Sequence, residues 1–122
     1  MKPTHFLFIL ALALILVSCN DSAKKAVVEG PSVSITHDLG TTEVPLNPQR
    51  VVVLTFNSLE NLDLIGAPVV GMPKQAVPKN LTKYSEDERI ANVGSLVEVN
   101  LEVINELRPD LIIAGYRLAE SY

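Results

Sequence analysis

Behind Lys2, the chain opens with twelve consecutive apolar residues, 6–17 (FLFILALALILV), which run through Ser18-Cys19 to a polar break at Asn20-Asp21. A helix that spans a bilayer needs about 20 such residues. The block is too short for that and fits the apolar region of a secretory signal behind a short positive start. Residues 20–32 (NDSAKKAVVEGPS) have no periodicity and contain Gly30-Pro31, the pattern of a flexible tether. Lys24-Lys25 is too short a charge run for a membrane-binding patch and reads as solvated. Period-two alternation then begins at Val33-Ser34-Ile35-Thr36-His37 and resumes at Thr41-Thr42-Glu43-Val44, predicting a hairpin around Asp38-Leu39-Gly40.

After Pro45 and Pro48, Arg50 leads into the unbroken run Val51-Val52-Val53-Leu54, the mark of a strand buried on both faces. Asn57-x-x-Glu60 resembles a capping box, Leu59, Leu62 and Ile65 follow at helical spacing, and Gly66 closes the helix. Val69-Val70-Gly71-Met72 predicts a short strand stopped by Pro73, and residues 73–92 are polar with a helical turn around 80–84. Asn100 caps a second helix with Leu101, Ile104 and Leu107 on one face, and Pro109 ends it by forcing the residue before it out of the α region. Residues 110–115 then predict a further buried strand, and from Arg117 the spacing of Leu118, Ala119 and Tyr122 starts another helix. Strands alternating with helices predict an α/β fold: a Rossmann-like lobe with a mostly parallel central sheet, right-handed crossovers and flanking helices, preceded by the hairpin. Because the chain stops inside an apolar-patterned helix, it is expected to be the front portion of a longer one.

Composition narrows the function. The 122 residues allow one domain, and 10 Lys+Arg against 14 Asp+Glu give a net charge of −4, the wrong sign for a nucleic-acid partner. One Cys excludes a disulfide framework and a Cys-rich metal site. Its position is informative instead: Leu16-Val17-Ser18-Cys19 resembles the lipobox of bacterial lipoproteins, whereas Leu16-x-Ser18 poorly matches an A-x-A cleavage site. Residues 1–18 are therefore expected to be a lipoprotein signal peptide, 19–32 a tether and 33–122 the folded lobe, with Cys19 acylated and holding the protein to the membrane. A Cys buried in a membrane anchor is the competing reading, disfavoured by the break at Asn20-Asp21.

His5 lies in the leader, and His37 has no second His, Cys or acidic pair at ligand spacing, so no resident metal or cofactor is expected. With His37 as its sole histidine, the mature chain lacks a Ser/His/acid set. It also has no G-x-S-x-G, G-x-x-x-x-G-K-[ST] or G-x-G-x-x-G, and an enzyme is not expected. Arg50 and Asp110, flanking core strands beside prolines, read as structural.

Taken in order, Gly40-Thr-Thr-Glu-Val-Pro, Pro48-Gln-Arg50-Val-Val-Val, Asn92-Val-Gly94 and Glu102-x-Ile104-x-x-Leu107-x-Pro109-Asp110-Leu-Ile-Ile113 resemble the iron–siderophore and cobalamin class of periplasmic solute-binding proteins. Val70-Gly-Met-Pro-Lys74 and Gly115-Tyr-Arg117 are most similar to its catecholate-siderophore binders. The resemblance runs from about Val33 to the chain end. It implies the first lobe of a two-lobe receptor for an ABC importer, located in the periplasm or on the outer face of the cell membrane. Such a receptor holds a chelate between its lobes and passes it to permease subunits, and this one is expected to be monomeric.

Arg117 lies beyond a parallel strand, where open α/β sheets bind ligands, and in the resembled family an Arg at this place faces the siderophore. A surface Arg at a helix start is the alternative. Lys74 also follows a strand end, with a solvated lysine as its plain reading, and Asn57 could line the same rim, although capping accounts for it. The resembled receptors dock an exposed Glu of this lobe onto arginines of the permease. Glu98 is the candidate and Glu102 its competitor, the latter equally explained by the helix dipole. Iron would arrive already chelated. Haem, cobalamin or another chelate in the same fold, and an envelope lipoprotein outside transport, stay open, because fold does not fix ligand.

Overall fold

The computed structural model describes residues 30–121; the leader, Cys19 and most of the tether lie outside the described residues. Strands β1 (Ser32–His37) and β2 (Gly40–Pro45) pair antiparallel with His37 opposite Gly40, so the turn is the two residues Asp38-Leu39. Alternation places Val33, Ile35 and Val44 on one face of this ribbon, while the Ser32 and Ser34 hydroxyls donate to Glu43 on the other.

Four further strands form the main sheet: β3 (Val51–Val53), β4 (Val69–Met72), β5 (Ala91–Asn92) and β6 (Leu111–Ile113). Their order is β5-β4-β3-β6 and each neighbouring pair is parallel. Helix α1 (Phe56–Ile65) joins β3 to β4, a 3-10 turn (Lys79–Leu81) and α2 (Thr82–Glu86) join β4 to β5, α3 (Leu101–Leu107) joins β5 to β6, and α4 (Tyr116–Ala119) follows β6.

The run at β3 supplies two cores. Val51 and Val53 pack with Leu59, Leu62, Met72 and Leu81, whereas Val52 and Leu54 pack with Val93, Val99 and Ile104. Period two sends successive side chains to opposite faces, and a strand with helices on both sides buries all of them. Gly71 lets the helix layer come close, since a Cβ there would lie 2.7 Å from Leu107 Cδ1 and 2.9 Å from Val93 Cγ1.

Two expectations at α1 are corrected. Its N-cap is Thr55, whose Oγ1 accepts from Ser58 N at 3.3 Å, and not Asn57. Glu60 does not close a capping box; its carboxylate accepts from Asn80 Nδ2 at 2.7 Å. Thr55 keeps an extended backbone at the strand end, so the helix starts two residues earlier than a cap at Asn57 would allow. Ile65 is 77% exposed, because six residues along a helix is about 120° around from Leu59. Gly66 does close α1, at φ 69°.

The ends of α3 and β6 match expectation. Asn100 accepts from Glu102 N and Val103 N, and Arg108, before Pro109, leaves the right-handed region at φ 44°. The Arg50 guanidinium donates twice to the Leu107 carbonyl, at 2.8 and 2.6 Å, and Asp110 accepts from Gln49 N at 2.7 Å and Arg50 N at 2.9 Å. Both residues are structural, tying β3, α3 and β6 together at one end of the sheet. The expectation of a fully buried β6 is corrected: Ile112 is 48% exposed, since β6 is an edge strand among the described residues. Strand β5, with two residues, is too short to show a period and was not expected.

Behind the sheet, Lys83 and Tyr84 of α2 both bond Asp63 of α1, at 2.5 and 2.9 Å. The hydrogen bonds from Lys83, then Tyr84, hold the Asp63 carboxyl below its ordinary range, while burial and then the bond to Asp63 push Tyr84 up to about 12.

Candidate functional site

Parallel strands align their carboxyl ends along one edge of the sheet, and in open α/β folds that edge is where ligands sit. Four segments meet there: 54–57 after β3, 73–75 after β4, 93–95 after β5 and 114–117 after β6. The segments after β3 and β6 are in contact, because a Cβ on Gly115 would lie 3.1 Å from Thr55 Cγ2. The starts of α1 and α4 are thereby set on neighbouring loops.

Those loops carry Asn57 and Arg117. Asn57 is exposed and, relieved of capping by Thr55, makes no side-chain hydrogen bond among the described residues. Arg117 is exposed, and its guanidinium has no hydrogen-bond or ion-pair partner among the described residues. Beside it, Tyr116 is 54% exposed and lines a groove of about 520 Å³ between Ile35, His37 and Val44 of the hairpin and residues 111–114. An exposed aromatic next to an arginine is legible in Gly115-Tyr-Arg117, although its place past the strand singles out only the arginine.

Lys74 belongs to the next loop along, on the other side of β3, and is differently occupied. Its ammonium donates to the Asp87 carbonyl at 2.9 Å and its backbone N–H to Asn92 Oδ1 at 3.2 Å. The Asp87 carboxylate pairs with Arg89 at 2.6 Å, and the bonds from the Arg89 side chain and backbone hold it down to about 2. Lys74 is therefore half-buried and bonded where Arg117 is open.

Glu98 and Glu102 prove to be neighbours. Both line one groove of about 580 Å³ with Gln75, Gly94, Ser95 and Val99. Ser95 Oγ accepts from Val97 N and Glu98 N, and Ser95 N donates to Glu98 O at 2.8 Å, so the loop is braced by its own backbone. Gly94, at φ 106°, is required there because a Cβ would lie 2.5 Å from Glu98 O. Neither carboxylate has a hydrogen-bond or ion-pair partner among the described residues.

His37 accepts from Leu39 N through Nδ1 and reaches Thr42 Oγ1 through Nε2 at 2.8 Å, so it is committed to the hairpin turn. Among the described residues no three His, Cys, Asp or Glu side chains converge as a metal site would require, and no helix is long and apolar enough to cross a membrane.

A family model for periplasmic binding proteins matches residues 51–122. The petrobactin-binding protein YclQ of Bacillus subtilis is 41% identical over 130 residues, covering 100% of this chain and 41% of the relative. Its crystal structure matches with a TM-score of 0.71 at 44% identity, over 76% of this chain and 34% of that one. The ferric-anguibactin-binding protein FatB of Vibrio anguillarum is 36% identical over 110 residues, 88% of this chain and 34% of the relative. The periplasmic catecholate-siderophore binding protein VctP of Vibrio cholerae matches with a TM-score of 0.68 at 38% identity, over 75% of this chain and 33% of that one. The chain thus spans 34–41% of the length of these curated relatives, which are binding proteins by name.

Proposed function

The chain belongs to the periplasmic binding protein family, and we propose that it is the first lobe of a substrate-binding lipoprotein that captures a ferric siderophore for an ABC importer. The observation that carries this reading is the open Arg117, set with Asn57 on touching loops at the carboxyl edge of the parallel sheet. Ferric catecholates are strongly anionic around the metal and aromatic at the rim. A guanidinium answers both features, with a planar donor fork for the oxygens and a flat cation for the ring faces. Relatives that bind petrobactin, anguibactin and catecholate siderophores support the substrate class.

In this reading Arg117 supplies charge and Asn57 a neutral amide, while Lys74 adds positive potential from its bonded position on the next loop of the rim. A second lobe, for which the greater length of the relatives leaves room, closes the cleft. Iron is cargo, held by the chelator, and the protein performs no covalent step. Glu98 and Glu102 together present the acidic surface to basic side chains of the permease. Cleavage before Cys19 and acylation of its thiol anchor the receptor outside the cytoplasmic membrane, with residues 19–32 as tether and the receptor a monomer.

The test is a titration of the full-length receptor with ferric catecholate, haem and cobalamin, followed by quenching of intrinsic fluorescence. Selective, saturable binding of the ferric catecholate is expected. Preference for haem or cobalamin, or no binding to any of the three, would overturn the proposal.

A further inference from the structure

We propose that Asn92 is a positioning residue that locks the ligand rim to the loop bearing Glu98, an inference that rests on the function proposed above. Asn92 is the last residue of β5, paired with Met72 of β4. Beyond that pair the ladder continues only through Val93 N to Met72 O, at 3.1 Å, and then Pro73, which has no N–H, turns the chain away. The next donors are the backbone N–H groups of Lys74 and Gly94. Both point to one atom: Asn92 Oδ1 accepts from Lys74 N at 3.2 Å and from Gly94 N at 3.1 Å. A side-chain amide thus takes over where the sheet hydrogen bonds end, and it spans the two loops.

The position of Gly94 passes directly to the acidic loop. Glu98 O occupies the space where a Gly94 Cβ would be, and Gly94 bridges Val99 across the loop. A shift of Gly94 therefore moves Glu98, while a shift of Lys74 moves the rim. Asn92 Oδ1 is taken up by these two backbone donors, so its effect on ligand or permease runs through the loops that it holds. Its removal should consequently disturb ligand binding and uptake together. Loss of Arg117 should affect the first directly, and loss of Glu98 only the second.

The experiment compares Asn92→Ala and Asn92→Asp in the full-length receptor, using titration with a ferric tris-catecholate, iron-dependent growth and amide hydrogen exchange. The alanine variant loses both hydrogen bonds, and the loosened loops should weaken binding about tenfold, with growth falling as well. A carboxylate oxygen can accept from the same two donors, so the aspartate variant should restore both. In the wild type, the Lys74 and Gly94 amides should be protected from exchange. Unchanged affinity in the alanine variant, equal damage in both variants, or fast exchange of the two wild-type amides would each overturn the proposal. The exchange result decides it even if the alanine variant does not fold. A wild-type receptor that bound no ferric chelate would refute the functional reading instead, and the exchange measurement would still judge the clamp.

Discussion

Replacing Arg117 with alanine separates binding from stability more cleanly than any other change at the rim. The side chain is exposed and its guanidinium is unpartnered among the described residues, so no fold contact is lost with it. It stands in α4, a single turn of four residues whose dipole contributes little in either direction. Unfolding free energy should therefore change by no more than about 0.5 kcal/mol. Affinity should respond very differently. A charged hydrogen bond is worth about 1.5–3 kcal/mol, so the dissociation constant for a ferric catecholate should rise roughly 10- to 150-fold. Lysine should recover only part of this, because it keeps the charge and loses the planar fork. Fluorescence titration and thermal melts on the same full-length preparations supply both numbers. The reasoning fails if the alanine variant binds as tightly as wild type, or if its melting temperature falls in step with its affinity.

Glu98→Arg should abolish iron-dependent growth through like-charge contact with the permease while leaving chelate affinity unchanged; a parallel loss of affinity would refute the docking role. Cys19→Ala should release the receptor from the detergent phase or block its processing, and unchanged membrane association would exclude the lipid anchor. Asp110→Ala removes the acceptor for Gln49 N and Arg50 N and should cost about 1–2 kcal/mol in urea denaturation, the scale of losing a capping side chain, with Asp110→Asn costing less. Stability should also depend on pH at both extremes. Asp87 is held down to about 2 from its ordinary 3.8, so its contribution is present above pH 3.8 and is lost as pH falls towards 2. Tyr84 is pushed up to about 12 from 10.0, so its contribution is present below pH 10.0 and is lost as pH rises towards 12. Asp87→Asn should flatten the acid limb of the urea-midpoint curve and Tyr84→Phe the alkaline limb.

The elements that were legible in the sequence are those whose signal is local. Alternation at 33–44 produced the hairpin, the run at 51–54 the central strand, Asn100 and Pro109 the two ends of α3, and Gly66 the close of α1, because each depends on residues within a turn or two. That Arg50 and Asp110 are structural was legible from their places between a proline and a core strand, but not that they bond one another across sixty positions. Tertiary structure decided what local signals do not encode. Strand order made β6 an edge and exposed Ile112, and the extended end of β3 gave the cap to Thr55 and released Asn57 to the rim. Lys74 and Arg117 look alike in sequence, each a cation just past a strand. The fold bonds the first to Asp87 and leaves the second open. Glu98 and Glu102 line one groove, and Asn92, only a letter in a motif, accepts from the backbone of two loops. Periodicity and capping are written within a few residues. Partnership between a side chain and a backbone group eighteen or sixty positions away exists only once the chain path brings them together.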